Sequence, residues 1–265
     1  MSKERQKYLK QIKKEKFFVL LGQIAILVLF LGLWELGANK GLIDSFITSS
    51  PSRILKTFAN FSANNLLVHI KVTVYETIIG FSIGTIMGFI IAIILWWSKF
   101  ISKISEPYLV ILNSLPKVAL GPIIIIWVGA GTGAIIVMAV AISLIVTILD
   151  ILNGFLETDK DLIKMANTFS ASKFQILTKI VIPANISTFI NSLKINIGLS
   201  LVGVISGEFL VSKAGLGYLI TYGGQVFKLD LVMSSVIILG IIAGLMYLTV
   251  LLLEKIILGK KGSKR

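Results

Sequence analysis

The sequence predicts an all-α integral membrane protein with six transmembrane helices. Three observations carry the prediction. Hydrophobic residues make up 55% of the 265 and charged residues only 15%, with a mean hydropathy of +0.92, whereas soluble domains carry about a quarter charged residues. Long uncharged runs recur along the chain, several near the ~20 residues that cross a hydrocarbon core as a helix. The basic residues gather at the ends of those runs, as the positive-inside rule describes.

Residues 1–16 form a basic tail holding seven lysines and arginines, and 17–34 is an uncharged run of 18 residues. It ends in Trp34-Glu35-Leu36-Gly37 with no small-x-small cleavage site, which predicts an uncleaved first span rather than a signal peptide. In the polar stretch after it, Ser49-Ser50-Pro51-Ser52 reads as an N-cap with proline at the first helical position. It opens a short surface helix over 53–61, with Ile54, Phe58 and Phe61 on one side.

The second span is 77–98, and inside it Gly80, Gly84, Gly88 and Ala92 recur every fourth residue. Such a stripe lets a second helix approach closely where lipid gives no hydrophobic drive. The run from Pro107 is too long for one span, and Gly129-Ala130-Gly131-Thr132-Gly133 divides it into spans at 107–128 and 133–154, with Pro116 and Pro122 kinking the first. These glycines follow no strand and do not spell G-x-G-x-x-G, so they mark a turn rather than a phosphate loop.

Residues 159–183 are the longest polar interruption in the second half. Leu162, Met165 and Phe169 recur at helical spacing, then Ile176, Leu177 and Ile180, and Ser170-Ala171-Ser172 between them supplies a break and a new N-cap. The pattern predicts helix, turn, helix, with apolar side chains offered on a water-facing surface. A connection lying on lipid headgroups is the alternative, since basic amphipathic segments do that too. The fifth span comes next at 184–210, with Lys194, Glu208, and Gly203 and Gly207 four apart. Residues 214–227 are uncharged but too short to cross and read as re-entrant, and 231–253 is the sixth span before a basic tail.

With the N-terminus inside, the inner segments hold seven, two, four and five basic residues, eighteen in all, against six outside. Both termini and 159–183 are therefore expected in the cytoplasm. Lys194 then lies in the cytoplasmic third of its span, where it can snorkel, and Glu208 lies near the outer end. Both are candidates for a translocation path.

Much chemistry is excluded. The net charge of +13 sits on the flanks of spans, not on a basic face with exposed aromatics, so nucleic acid is not the partner. There is no cysteine, no G-x-x-x-x-G-K-[ST], no H-E-x-x-H and no G-x-S-x-G. The one histidine, His69, reads as interfacial and has no companions for a metal. No catalytic residue, metal or cofactor is expected in this chain.

The 159–183 segment resembles the cytoplasmic motif of bacterial ABC importer permeases, and more narrowly of the nitrate, sulfonate, taurine and bicarbonate permease family. That motif runs E-A-A, three residues, glycine, then about a dozen residues to a proline. Here the matching residues are Lys164-Met165-Ala166, Ser170, Ala171 and Pro183. Ala171-Ser172-Lys173-Phe174 continues the match. Other family-like stretches are Leu33-Trp34-Glu35-Leu36, Ser50-Pro51-Ser52, Gly80-Phe81, Leu115-Pro116 to Gly121-Pro122, Trp127 to Gly131, and Gly207-Glu208 to Gly215-Leu216-Gly217-Tyr218. The chain departs from the motif at Lys164, Met165 and Ser170, where glutamate, alanine and glycine are usual.

The resemblance implies a type I (MetI-like) permease fold. It implies a basic tail over 1–16, a first transmembrane helix and external amphipathic segment over 17–66, a permease transmembrane domain over 67–258, and a second tail over 259–265. It implies a bacterial inner-membrane importer for a small solute, an anion such as a sulfonate, taurine, nitrate or bicarbonate, or a thiamine-precursor pyrimidine. Lys164, Met165, Ala166, Phe169, Ser170, Ala171 and Pro183 would couple to a separate ATPase subunit, which would hold ATP and magnesium. A second permease copy and an extracytoplasmic solute-binding protein complete the implied assembly. A secondary transporter working alone would show internal repeats, which are not visible here; a membrane scaffold is the remaining alternative.

Overall fold

A computed structural model describes residues 3–59 and 65–259. Phe61, expected on the short amphipathic helix, and most of the 259–265 tail lie outside the described residues. The chain divides into two compact units, Met1–Phe61 with Gly223–Ser234, and Ser62–Tyr222 with Ser235–Arg265.

In the first unit α1 (Lys3–Asn39) is one continuous helix, longer at both ends than its apolar run. No residue of the apolar window within it is buried, as suits a helix bathed in lipid. Gly41, at φ 69, turns the chain back so that Ile43 packs on Gly37. The short α2 (Ser45–Thr48) is capped by Asp44, and α3 (Pro51–Ala59) begins at the proline. Glu35 accepts from the Ser52 N–H (3.0 Å), satisfying a donor in the first turn of α3. Asp230 closes the unit: Arg53 grips it at 2.8 and 3.1 Å and Ser49 donates to it at 2.7 Å.

In the second unit α4 (Leu66–Trp97) begins eleven residues before the uncharged run, so His69, Lys71 and Glu76 lie within it rather than outside the span. A Ser98 N-cap starts α5 (Lys99–Ser114), which carries Pro107 in its interior. The expected span at 107–128 is corrected here. α5 stops at Leu115-Pro116, a 3₁₀ turn covers Lys117–Leu120, and α6 (Gly121–Val128) leaves at 87°. Pro116 marks the break because it cannot donate to the preceding turn. Pro122 sits in the first turn of α6 and kinks nothing.

Then come α7 (Thr132–Leu156), α8 (Lys160–Thr168), α9 (Lys173–Ile176), a π turn at Leu177–Val181, α10 (Ile182–Ala184) and α11 (Ile186–Val211). The short α12 (Leu216–Gln225) and long α13 (Leu229–Leu258) complete the order. Among the described residues five helices are long and apolar enough to cross a membrane, and six spans result when the bent α5–α6 pair counts as one.

The centre of this unit is α7. On one side Gly80, Gly84 and Gly88 of α4 face Ala139, Ser143 and Thr147, in parallel register. On the other side Gly203 and Gly207 of α11 face Ala139 and Ile135 in antiparallel register. A Cβ on Gly80 would sit 2.6 Å from the Ala139 Cβ, and one on Gly203 2.5 Å from the Ala139 Cα. Ala139 is thus clamped between two glycines from two helices and is fully buried. Gly240 and Gly244 of α13 meet nothing within 4 Å.

Candidate functional site

The 159–183 segment is shaped by local rules. Asp159 caps α8 by accepting from the Asp161 N–H at 2.8 Å. The helix closes in a Schellman motif: Ala171 N–H reaches Ala166 O (3.0 Å) and Ser170 N–H reaches Asn167 O (2.9 Å). Ser170 occupies the left-handed position this requires, φ 55, which glycine adopts without a steric cost. Ser172 then caps α9 in a reciprocal box with Gln175, at 3.3 and 2.8 Å.

One side of the segment is welded to the membrane core. Ala166, Ile176, Leu177 and Val181 join Ala92 and Leu95 of α4 and Ile151, Leu152 and Phe155 of α7 in one buried cluster. Lys173 donates to the carbonyl of Trp97 and lies over the Trp96 and Trp97 rings at 5.9 and 5.7 Å. The other side is bare: Met165, Phe169 and Phe174 are 53%, 79% and 63% exposed. Lys164 points into solvent and pairs with Asp161 at 3.0 Å, a link worth little at such exposure. Pro183 lies in α10, which follows directly on the π turn. Beside these faces a groove of about 540 Å³ carries Lys99, Lys160, Lys164 and Lys173 above an apolar floor.

Glu208 and Lys194 lie fourteen residues apart on α11, about 21 Å at the helical rise, and are not brought together. Lys194 pairs with Glu254 at 2.9 Å. Glu208 is 1% exposed and works as a cap. It accepts from Thr73 Oγ1 (2.6 Å) and from the Gly217 N–H (2.5 Å) at the start of α12. Thr73 Oγ1 in turn accepts from the Leu216 N–H (2.8 Å), and His69 Nδ1 from the Gly215 N–H (2.9 Å). Three successive amide donors are thereby satisfied inside the protein. Gly215, at φ 114, and Gly217 leave the room, since a Cβ at Gly217 would fall 2.8 Å from Glu208. His69 also stacks on Tyr218 at 5.8 Å. It is a structural acceptor for the α12 turn, not a bystander at the interface.

Sequence reading missed two groups. The first is the complementary stripe Ala139, Ser143 and Thr147, whose i, i+4, i+8 spacing is as legible as the glycines it faces. The second is the buried acid Glu76 and the half-buried Asp150. Glu76 is 1% exposed, lies within hydrogen-bonding reach of Thr132 and of the Glu208 carboxyl, and stands one residue before the uncharged run that marked its span. Among the described residues no group of acids, histidines and cysteines could hold a metal ion.

A family model described as "Binding-protein-dependent transport system inner membrane component" matches residues 84–260. A probable ABC transporter permease protein of Haemophilus influenzae is 29% identical over 87% of this chain and 94% of its own length. A putative aliphatic sulfonates transport permease of Bacillus subtilis is 24% identical over 88% and 85%. A formylaminopyrimidine transport permease of Halalkalibacterium halodurans is 23% identical over 85% and 90%. Among solved structures, a bacterial ABC transporter involved in import of the acidic polysaccharide alginate superposes with a TM-score of 0.64 at 15% identity. The match covers 94% of this chain and 98% of that one, a likeness of fold.

Proposed function

We propose, for a chain that belongs to the binding-protein-dependent transport inner-membrane family, that residues 159–183 are the surface through which a separate ATPase subunit drives it. The chain is a multi-pass ABC importer permease, and the proposal concerns how it is driven. The observation that carries the proposal is the division of the segment into two faces. Ala166, Ile176, Leu177 and Val181 anchor it to α4 and α7, while among the described residues Met165, Phe169 and Phe174 stand exposed at 53%, 79% and 63%. Apolar side chains in water on a rigid mount favour a partner's groove over solvent. Force applied to Phe169 would pass through the Ala166 contacts to α7 and its glycine seam.

In this reading both termini and 159–183 are cytoplasmic, in accord with the charge asymmetry. ATP and magnesium are bound by the partner, because this sequence has no phosphate loop. Two copies of the chain enclose the path, and an extracytoplasmic binding protein delivers a small polar solute from the range carried by relatives. Glu208 holds α12 in place at the outer end.

The test is co-purification. Phe169→Asp is expected to leave the permease in the membrane at wild-type level while the ATPase no longer co-purifies. Retention of the ATPase at wild-type stoichiometry would remove the segment from this role.

A further inference from the structure

Where α7 begins, α11 ends and α12 begins, two glutamates from different helices meet inside the protein. Glu76 of α4 and Glu208 of α11 are each 1% exposed, and they are the buried glutamates among the described residues. Each carboxyl lies within hydrogen-bonding reach of the other. Glu208 already accepts from Thr73 Oγ1 at 2.6 Å and from the Gly217 N–H at 2.5 Å. Glu76 has the hydroxyl of Thr132, the first residue of α7, as its further neighbour. Two carboxyl groups thus join four helices.

Charge decides which state the pair can hold. Among the described residues the ion pairs join Arg53 to Asp230, Lys164 to Asp161 and Lys194 to Glu254, and none reaches these carboxyls. Lys71, Tyr75 and Lys213 are exposed. On α7 and α11 the nearest other charged groups, Asp150 and Lys194, stand more than about 20 Å off along their helices. His69, on the Thr73 and Glu76 face of α4, accepts from the Gly215 N–H through Nδ1, so that nitrogen carries no proton, and Tyr218 of α12 stacks on its ring. Two carboxylates in contact here, with no cation beside them, repel far more strongly than in water. One negative charge, by contrast, suits the Thr73 hydroxyl and the amides that open α12. One charge on two carboxyls leaves one proton.

We propose that Glu76 and Glu208 hold one proton between them, a proton-binding site that ties α4 to α11 and α12 at the end of α7 far from residues 159–183. With the proton in place, one O–H bridges the two carboxyl groups, as in other buried acid pairs. Without it two like charges face each other, α4 is pushed from α11, and α12 loses its anchor. The site needs neither an ATPase nor a solute, so its failure would leave the coupling reading untouched.

The test is infrared spectroscopy of the full chain in lipid nanodiscs, with the glutamate carboxyls carbon-13 labelled so that aspartates such as Asp150 do not contribute. At about pH 7 an exposed glutamate is ionised, and one neutral glutamic acid per chain is the expected count. None would show both carboxyls charged, and two would show both neutral; either overturns the proposal. As the pH is raised until the band disappears, the melting temperature should fall, because the folded chain holds a proton that the unfolded chain has already released. Glu76→Gln, whose amide can stand in for the bridging O–H, should lack the band and lose that fall. A band that persists in Glu76→Gln, or an equal fall in both proteins, also overturns the proposal. The wild-type count decides even where the variant fails to fold.

Discussion

The glycine seam along α7 and the 159–183 segment are both built from small residues and short polar ones, and they reach opposite states. In the seam every small residue has a counterpart: Gly80, Gly84 and Gly88 meet Ala139, Ser143 and Thr147, and Gly203 meets Ala139 from behind. The hydroxyls turn inward, Ser143 donating to Ala139 O and Thr147 to Ser143 O, both at 2.9 Å. In the segment, small residues close one face only. Ala166 and Ala171 pack inward around the Schellman turn, while Phe169 and Phe174 remain outside. In the proposed coupling, the closed seam would transmit a displacement that the open face receives. The comparison teaches that the closed packing and the exposed apolar face, which is the proposed coupling surface, are held by different residues only a few helical turns apart.

That separation can be broken or sharpened by substitution. Gly80→Leu or Gly203→Leu has the largest expected effect, since each drives side-chain atoms into the α7 backbone or Ala139. The loss should exceed about 3 kcal/mol, at the upper end for overpacking, and be seen as absence of a monodisperse peak after detergent extraction. Gly244→Leu on α13 meets open space and should elute as wild type; if it fails equally, spacing rather than contact is what matters. Phe169→Asp should elute and melt as wild type while, on the proposed coupling, losing the ATPase. A lowered melting temperature would merge the two regions into one.

Next in size is Glu208→Leu, which leaves the Gly217 N–H and the Thr73 hydroxyl buried without an acceptor, costing about 2–4 kcal/mol. Glu208→Gln keeps one acceptor and should lose about 1 kcal/mol. Equal melting of the two variants would show that Glu208 is not a cap. Ser172→Ala should cost about 1 kcal/mol locally, read as faster amide exchange at Gln175 with no change along α7. Smallest is Ser170→Gly, which relieves the left-handed serine and should gain roughly 0.5 kcal/mol of segment stability, visible as slower exchange at Ala171.

Several of these features could be read directly from residue order. The uncharged runs, the Ser50-Pro51 and Ser172 helix starts and the Ser170 turn come from local rules, because a span, a cap and a left-handed residue each depend on neighbours within a few positions. The helix ends were less legible. α4 starts at Leu66 because a helix continues through His69, Lys71 and Glu76 once their side chains have somewhere to go, and hydropathy counts charge as an ending. The 87° break between α5 and α6 was signalled by Pro116 but not its size, which depends on what each half packs against.

What the sequence determined by itself is the class: a helical membrane chain with a two-faced segment in its second half and glycines every fourth residue. Those are properties of composition and period, and they survive any arrangement of the helices. What tertiary structure alone decided is which stripe meets which. It set Ala139 between two glycines, left Gly240 and Gly244 idle, turned Glu208 into a cap for α12, and brought Asp150, Glu157 and Ser192 to one cavity. The physical reason is that a helix carries its periodicity within itself, whereas close contact, burial and the field of a charge depend on residues tens of positions away.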